Sequence, residues 1–310
     1  MKIWDSRRLD NQFFYDKERT VATVGLQGHG KTVFLASLFR DSFFVLSDAL
    51  RPYSVRAVTA KADDVFYGNA IALQELELPP ANPRSKPDPA ILEFSNIPRL
   101  GSKKTRSIRL TFYDIAGEVF SNDRLVSEYA TYLKEADDII FLLDPTHEEF
   151  NVLRAARLID LVNRMNQFKK QNIIIALSKM DELREQSEWS EILGNLWPDL
   201  PPSHLGLSDY LTQMDYLSEM LRQWWMIPQR GAQNLINTMP ENVRFCALSA
   251  VGHQPIWDCA ECQSINVATV RNCVKCQAAR LGAGLRLSRQ MEPFRVRDPL
   301  FWIFRAAGVM

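Results

Sequence analysis

Short apolar runs alternate with longer amphipathic stretches along most of the chain. An apolar run of about four to eight residues bounded by turn residues is typical of a buried strand, whereas helical periodicity over a longer stretch indicates a surface helix. The predicted strands are Thr20–Gly25, Asp138–Leu143, Ile173–Leu177 and Val243–Leu248, and the predicted helices include Thr32–Phe39, Glu149–Lys169 and Asp298–Ala307. Strands that alternate with helices favour an α/β fold with a mostly parallel sheet and helices on both faces.

The part of the chain between the predicted helix Thr32–Phe39 and the predicted strand Asp138–Leu143 has a different pattern. Ile91–Ile97 and Ser107–Tyr113 are strand-like and flank the polar, basic loop Arg99–Arg106, which predicts an antiparallel hairpin. Upstream, Lys61–Leu76 has a helical pattern, and the prolines clustered within residues 79–89 predict a loop because proline lacks a backbone N–H. The remaining predicted elements are a helix at Asp123–Glu135 and a helical segment over residues 183–239.

A glycine-rich turn connects the first predicted strand to the first predicted helix. Residues Gly25–Thr32 match the pattern G-x-x-x-x-G-K-[ST], in which backbone N–H groups surround phosphates at a helix N-terminus. Lys31 is expected to reach the β- and γ-phosphates, and the Thr32 hydroxyl to coordinate Mg²⁺. The nucleotide-binding residues predicted for this loop are Gly25, Gln27, Gly28, His29, Gly30, Lys31, Thr32 and Val33.

A carboxylate follows the second strand of the predicted hairpin. Asp114-Ile-Ala-Gly117 comes directly after Leu110–Tyr113, so Asp114 is expected to hold Mg²⁺ through water and Gly117 to offer its N–H to a γ-phosphate. The motif D-x-x-G is weak when it stands alone, because any strand-ending aspartate before a turn would match it. Its value here comes from the glycine-rich turn that precedes it in the chain.

Two further segments end predicted strands. Ser178-Lys179-Met180-Asp181 resembles the [NT]-K-x-D element by which GTPases recognise guanine: Asp181 would accept from the ring N–H and the exocyclic amine, and the Lys179 side chain would pack along the base. Ser249-Ala250 fits the S-A element, whose backbone N–H contacts the guanine oxygen. Because the carboxyl ends of parallel strands meet at one edge of a sheet, these segments predict a single guanine-nucleotide site.

The four motifs, each at the end of a strand and in this order, resemble those of Ras-like, translation-factor-class GTPases. Within that class, residues 30–38 and 114–118 are similar to the bacterial double-GTPase families. The resemblance implies a P-loop GTPase domain over residues 1–252 and 281–310, in which residues 41–90 hold switch I and an insertion. It also implies a switch that binds GTP or GDP with Mg²⁺, encoded beside protein partners, such as another GTPase or a regulator, in bacterial conflict or defence systems.

Several residues depart from the pattern of that class. Ser178 replaces the usual Asn or Thr, and Glu118 stands where many relatives have a water-orienting Gln. A carboxylate near the γ-phosphate is repelled by it, and Gln27 could crowd an inserted arginine finger, so slow hydrolysis is expected. Lys31, Gly117 and Glu118 are the predicted catalytic residues. No clear switch I threonine is evident; the candidates for its position are Ser85 first, then Asn82 and, more remotely, Thr59. The alternative is a GTP- or GDP-regulated scaffold without turnover.

Four of the five cysteines form two Cys-x2-Cys pairs separated by ten residues: Cys259, Cys262, Cys273 and Cys276. Paired thiolates at this spacing suit a tetrahedral Zn²⁺ with bonds of about 2.3 Å. With Trp257 and Asn266, the segment resembles the zinc fingers of the nuclear-pore Ran-binding-protein type, and it predicts a finger inserted over residues 253–280. The residues that bind ubiquitin or RNA in such fingers have no match here. A structural finger and a docking finger, or an RNA- or protein-binding adapter, therefore stay open.

Composition adds few constraints. The 310 residues are 46% hydrophobic and 24% charged, which is ordinary for a globular chain, and 37 basic residues balance 37 acidic ones. The balance hides an asymmetry, because the segment from Arg271 to Met310 carries eight basic and two acidic residues. Binding to nucleic acid is therefore expected only through the finger and this basic segment. With no secretory signal, no long apolar run and cysteines suited to metal, the sequence predicts a cytoplasmic protein without membrane contact.

Overall fold

The computed structural model describes residues 15–43, 53–79, 89–115, 117, 119, 124, 132–146, 152–166, 171–183, 206–225, 243–280 and 284–310. The strands are β1 (Lys17–Val24), β2 (Ser54–Ala57), β3 (Ala90–Pro98), β4 (Thr105–Asp114), β5 (Asp138–Leu143), β6 (Asn172–Leu177), β7 (Val243–Ala247), β8 (Ile256–Asp258) and β9 (Ile265–Val267). The helices are α1 (Lys31–Phe43), α2 (Ala60–Ala62), a π-helical stretch (Asp63–Gly68), α3 (Asn69–Gln74), α4 (Val152–Asn166), α5 (Met180–Leu183), α6 (Leu207–Trp225) and α7 (Asp298–Ala306).

Seven strands form one sheet in the order β2-β3-β4-β1-β5-β6-β7. The strands β4, β1, β5, β6 and β7 are parallel to one another, whereas β3 is antiparallel to both of its neighbours, β2 and β4. The predicted α/β class, with a mostly parallel sheet and an antiparallel hairpin strand, is confirmed. Strand β2 was not predicted, because it has only four residues at the edge of the sheet, and of these only Val55 is buried.

The central strands are apolar along their whole length because both faces of the sheet are covered. Every residue of β5 and β6 is buried. Their side chains alternate between two clusters, so that Ile139 and Phe141 lie on one face of the sheet and Ile140 and Leu142 on the other. Helix α4 packs on the first face, and α1 and α7 pack on the second. Trp225 of α6 is fully buried in the first cluster.

The predicted helices that fall on described residues are confirmed, with ends that shift by a few residues. The helix predicted over Thr32–Phe39 extends over Lys31–Phe43, and the one over Glu149–Lys169 is described over Val152–Asn166. Most of the predicted helix Asp123–Glu135, the proline loop over 80–88 and the segment 183–239 apart from α6 lie outside the described residues. None of the helices in the described ranges has the length and apolar character needed to cross a lipid bilayer.

The cysteine-rich segment is a separate small unit between β7 and α7. Its strands β8 and β9 form a two-stranded antiparallel sheet that is not part of the main sheet. The chain leaves and returns at one place, because Ser249 and Phe294 exchange backbone hydrogen bonds of 2.9 Å in both directions. We call residues 253–280 the four-cysteine module; these boundaries are the ones predicted from the sequence.

Candidate functional site

The motifs predicted to bind nucleotide lie at the carboxyl edge of the sheet. Strand β1 is where the strand order changes direction, with β4 on one side and β5 on the other. The parallel register brings Thr23 beside Asp114 and Leu177 beside Ala247, so these strands end at a common edge. Ligands of open α/β sheets bind in the crevice outside the carboxyl ends of the strands at such a point.

The glycine-rich loop curls between β1 and α1. Gly28 and Gly30 both have φ of +81°, a left-handed conformation that other residues rarely adopt. The Lys31 side chain folds over the loop, where its Nζ donates to the carbonyl oxygens of Gly25 at 2.9 Å and Leu26 at 3.1 Å. Lys31 is only 8% exposed. The loop thus places a largely buried ammonium group where phosphates are predicted to bind.

The imidazole ring of His29 anchors this loop to the neighbouring strand. The residue is 2% exposed, and its Nδ1 lies 3.1 Å from the carbonyl oxygen of Leu142 in β5. A carbonyl oxygen can only accept, so Nδ1 carries the proton in this bond. The sequence analysis assigned His29 to the loop for its backbone and missed this role of the ring, because the partner is more than one hundred positions away in the chain.

The predicted magnesium ligands lie next to each other. The Thr32 hydroxyl donates to Asp114 Oδ2 at 3.1 Å. A hydroxyl and a carboxylate are hard oxygen ligands of the kind that Mg²⁺ prefers. The donor set of this pair therefore fits a magnesium ion.

Gly117 lies directly against the glycine-rich loop. A Cβ added at Gly117 would come within 2.4 Å of the backbone nitrogen of Gln27 and within 2.5 Å of the carbonyl carbon of Leu26. Only glycine allows the two loops to approach this closely. Glu118, the third predicted catalytic residue, lies outside the described residues, as do the switch I candidates Ser85 and Asn82.

Thr59, the remaining switch I candidate, acts as a helix cap. Its Oγ1 accepts a hydrogen bond from the backbone N–H of Ala62, at 3.2 Å, at the start of α2. This bond satisfies one of the free donors at a helix N-terminus. The same oxygen lies 3.4 Å from the backbone nitrogen of Ile91 in β3. The described contacts of Thr59 are therefore those of a structural residue.

The elements predicted to recognise guanine are joined by a hydrogen bond between two side chains. The Ser249 hydroxyl donates to Asp181 Oδ1, and the same hydroxyl oxygen accepts the Gly252 backbone N–H at 2.8 Å. Burial raises the pKa of Asp181 above its ordinary value, although the bond from Ser249 acts in the opposite direction. Burial also raises the pKa of the adjacent Glu182. The acceptor predicted to select guanine is thus positioned by the Ser249-Ala250 element.

An aspartate that the sequence analysis missed positions Lys179. The backbone of Lys179 is left-handed, with φ of 57°, and its Nζ lies 2.6 Å from Oδ2 of Asp144. The backbone N–H and the hydroxyl of Thr146 donate to the other carboxylate oxygen, at 2.9 and 2.7 Å. The sequence signal was available, since Asp144 ends β5 at the same edge of the sheet as the other site residues.

Ser178 and Ser37 connect the guanine-side loops to the phosphate side. The Ser178 hydroxyl lies 3.1 Å from the carbonyl oxygen of Leu143 and 3.4 Å from that of His29 in the glycine-rich loop. On the other side, the hydroxyl of Ser37 in α1 donates to the Ala250 carbonyl oxygen at 2.6 Å. The sequence analysis did not single out Ser37. These two hydroxyls couple elements that are far apart in the chain.

A cavity of about 430 Å³ opens between these elements. Its lining includes Gly28, Gly30 and Val33 of the glycine-rich loop and its helix, together with Lys179 and Asp181. The cavity is also lined by Thr146, Ser178, Ser249 and Ala250 and by residues of the four-cysteine module. Pockets of about this size bind small organic ligands and cofactors. Residues of the glycine-rich loop and of the predicted guanine elements thus line one cavity, whereas Lys31, Thr32, Asp114 and Gly117 are not among its lining residues.

The cysteines of the four-cysteine module converge on one point. Their sulfur atoms all lie within 4.8 Å of one another, and the pairs Cys259–Cys276 and Cys262–Cys273 are each 3.5 Å apart. Sulfur atoms about 3.8 Å apart are what a tetrahedral ion with Zn–S bonds of about 2.3 Å requires. A disulfide requires about 2.05 Å. The donor set therefore fits a metal ion better than disulfides.

Hydrogen-bond donors surround the sulfur of Cys273. The Ser264 hydroxyl lies 2.9 Å from this sulfur, and the backbone N–H groups of Lys275 and Cys276 point at it from 3.4 and 3.5 Å. These donors, led by Ser264, lower the pKa of the Cys273 thiol to about 5. Since the thiolate is the form that binds metal, the surroundings of Cys273 favour the metal-binding form.

Trp257 and Asn266 hold the two halves of the four-cysteine module together. Trp257 is 1% exposed, packs with Cys259 and Cys273, and donates its indole N–H to the Val267 carbonyl at 3.2 Å. Asn266 is 3% exposed, and its Oδ1 accepts the backbone N–H of Val274 at 2.9 Å. Both residues singled out in the sequence therefore form part of the interior of this small unit.

Comparison with known proteins identifies a family for the chain. The family model for Double-GTPase 2 matches residues 19–204, a range that contains the glycine-rich loop, Asp114 and Asp181 but neither Ser249 nor the four-cysteine module. No curated protein matches the chain. Because the family model covers more than half of the chain, this GTP-binding protein belongs to the Double-GTPase 2 family.

Proposed function

We propose that the protein is a Mg²⁺-dependent GTPase that hydrolyses GTP slowly and acts as a switch between its GTP- and GDP-bound forms. One observation carries the proposal. A single cavity is lined both by residues of the glycine-rich loop and by the hydrogen-bonded pair Asp181 and Ser249. Membership of the double-GTPase family supports GTP binding and, in general terms, GTPase activity.

The roles of the phosphate-side residues follow from their chemistry. The Lys31 ammonium group, now hydrogen-bonded to two loop carbonyls, would exchange these partners for phosphate oxygens when nucleotide binds. The oxygens of Thr32 and Asp114 would hold Mg²⁺, which neutralises phosphate charge when bound. Gly117, in contact with the glycine-rich loop, would offer its N–H to the terminal phosphate.

The guanine-side residues supply selectivity. Asp181 would accept the ring N–H and the amine of guanine, two donors that adenine does not present together. Lys179, held by Asp144 at 2.6 Å, would lay its aliphatic chain along the base. The Ser249 hydroxyl holds Asp181 from the side, so the carboxylate is oriented before nucleotide arrives. These residues support guanine over adenine.

Slow turnover is the part of the proposal that depends on the sequence. Glu118 follows Gly117 where many related GTPases have a water-orienting Gln, and a carboxylate at this place is repelled by the γ-phosphate. Gln27 is exposed at the tip of the glycine-rich loop, where it would obstruct an arginine from a partner. We expect an intrinsic rate below about 1 s⁻¹.

We also propose that Cys259, Cys262, Cys273 and Cys276 hold one Zn²⁺ per chain. The proposal is supported by the convergence of the four sulfurs and by the donors around Cys273. Zinc bound by four thiolates has no open coordination position, so its role would be structural. Elemental analysis of the purified protein tests the stoichiometry.

The function is tested by nucleotide titration and by turnover. Calorimetry should show that the protein binds GTP and GDP but not ATP. Lys31→Ala should abolish the binding of GTP and GDP. The matched control is Lys103→Ala, since Lys103 is an exposed lysine on the β3–β4 loop, away from the site. Phosphate release without a partner should be slow and should require Mg²⁺. Binding without any release would instead favour a GTP- or GDP-regulated scaffold, and equal affinity for ATP would contradict the guanine assignment.

A second candidate function is an adapter that binds a protein through the four-cysteine module. One observation favours it: Ile265 and Val274 of this module are 61% and 65% exposed, and apolar side chains at a protein surface can mark an interaction site. The partner would belong to the same bacterial conflict or defence system, as another GTPase or a regulator. RNA binding that falls steeply with salt would instead favour a nucleic-acid adapter.

A further inference from the structure

The four-cysteine module forms part of the wall of the nucleotide cavity. Ala268, Thr269, Arg271 and Arg280 line the same cavity as Lys179 and Asp181. The module is therefore not a remote appendage of the domain, and two of its arginines are placed beside the site predicted to hold guanine nucleotide.

Internal hydrogen bonds join these lining residues into one unit. The backbone N–H of Arg280 donates to the Arg271 carbonyl oxygen at 2.8 Å. The guanidinium Nη1 of Arg280 donates to the Ala268 carbonyl oxygen, also at 2.8 Å. Residues 268–271 lie between Cys262 and Cys273, so a metal held by the four sulfurs would fix both ends of this segment. The shape of the cavity wall thus depends on the folded four-cysteine module.

The chain segments that flank the module are paired with each other next to the guanine-side loops, and the module itself contacts Glu182. Glu292 donates its backbone N–H to the Val251 carbonyl at 3.0 Å, just beyond the paired residues Ser249 and Phe294. The side-chain amide of Gln254 donates to Glu182 Oε2 at 3.1 Å, next to Asp181. A displacement of the module would therefore disturb the residues predicted to recognise guanine.

A second attachment reaches the helical segment near the phosphate side. Ile256 and Arg286 exchange backbone hydrogen bonds of 2.8 and 2.9 Å, and Leu287 donates its N–H to the Leu76 carbonyl at 2.7 Å. Leu287 is fully buried in a small apolar cluster with Ala36 of α1 and Leu73 of α3. The module and the segment that follows it are thus attached both to the guanine-side loops and to the helices α1 and α3.

The chemistry of the two arginines suits a nucleotide. A guanidinium group has only donors, and a guanine nucleotide presents acceptors at its carbonyl, ribose and phosphate oxygens. We propose that Arg271 and Arg280 are nucleotide-binding residues and that the four-cysteine module is the wall that retains bound GTP or GDP. This inference rests on the proposed function and adds a determinant of nucleotide release that lies outside the four GTPase motifs.

The rate of release of radiolabelled GDP from the full chain tests this inference. Arg271→Ala and Arg280→Ala should each raise the dissociation rate constant on the order of tenfold, since each removes a charged donor. Zinc content should stay unchanged in both variants. Arg289→Ala is the matched control, because Arg289 is an exposed arginine that lies beyond the module and does not line the cavity, and this variant should release GDP at the wild-type rate.

The outcomes separate the inference from the function on which it rests. Arg280 also holds the Ala268 carbonyl, so Arg271→Ala, which leaves that bond in place, decides the matter if Arg280→Ala does not fold. Wild-type release rates in Arg271→Ala and in a folded Arg280→Ala protein would overturn the inference while leaving GTP binding intact. A wild-type protein that does not bind GDP would overturn the proposed function, and the inference with it.

Discussion

Replacing Asp181 with asparagine tests the guanine site with almost no change in shape. The Ser249 hydroxyl donates to Asp181 Oδ1, and the two guanine donors would bind the remaining acceptor positions of the carboxylate. In Asp181→Asn the amide nitrogen can turn toward Ser249, whose hydroxyl also accepts, and then the remaining oxygen faces one guanine donor without a charge. The second guanine donor is left without an acceptor.

The size of the effect follows from these two losses. Hydrogen bonds to charged groups contribute about 1.5–3 kcal/mol each, and neutral ones about 1 kcal/mol. Losing one charged bond and weakening the other costs about 3 kcal/mol, which corresponds to an affinity for GTP on the order of 100-fold lower. Xanthine carries a carbonyl where guanine carries the amine, so the asparagine amide can donate to it. Affinity for XTP should therefore rise in Asp181→Asn.

Competition titration with GTP, XTP and ATP measures the effect. Ser249→Ala is the matched control, because it removes the bond that orients Asp181 but leaves the carboxylate in place. It should lower the affinity for GTP by about fivefold, the value of one hydrogen bond of about 1 kcal/mol, without favouring XTP. The reasoning would be refuted by an Asp181→Asn protein that keeps wild-type GTP affinity and gains none for XTP.

Three further predictions concern pH, metal and stability. Burial raises the pKa of Asp181, and only its ionised form accepts both guanine donors. The affinity for GTP should therefore be highest at neutral pH and fall as the pH drops through that raised pKa. In Asp181→Asn, the affinity for GTP should not fall over the same pH range. Cys273→Ser should lack stoichiometric zinc, unfold at a lower temperature and bind GTP more weakly, because without metal the four-cysteine module would not keep the residues that line the cavity in place. Normal GTP affinity in a folded, zinc-free protein would contradict this. Asp298→Ala should lower the free energy of unfolding by about 3–5 kcal/mol in urea titrations, because it leaves the Arg295 side chain, 2% exposed, without its carboxylate partner at 2.8 Å. Tyr210→Phe removes only a hydroxyl that donates to Asp298 and should cost about 1.5–3 kcal/mol, so equal losses in the two variants would argue against a buried charge effect.

The local pattern of the sequence determined the fold class and the order of the site elements. Strands such as Asp138–Leu143 were predicted with the bounds that the structure shows, because a strand buried on both faces is apolar throughout. The glycine-rich loop and the cysteine pairs were recognisable because backbone cradles for phosphate and thiolate pairs for metal require fixed spacing over a few residues. Neighbouring residues carry this information, so it can be read without tertiary contacts.

The tertiary structure alone decided which distant residues support the site. The hydrogen bonds from His29 to Leu142 and from Ser37 to Ala250 join positions that are 113 and 213 residues apart, and no periodicity or spacing relates them. The edge strand β2 was missed for a similar reason, since its four residues are a strand only because β3 offers them a partner.

The four-cysteine module shows most clearly which properties the sequence determines and which depend on the tertiary structure. Its cysteine spacing determined the fit to metal, and its place between β7 and α7 was evident from the sequence. That its arginines line the cavity predicted to bind nucleotide depends on contacts between distant segments, such as the hydrogen bonds from Gln254 to Glu182 and from Leu287 to Leu76. Such contacts arise when apolar surfaces and hydrogen-bonding groups from separate segments are buried together, and only the folded chain brings them together.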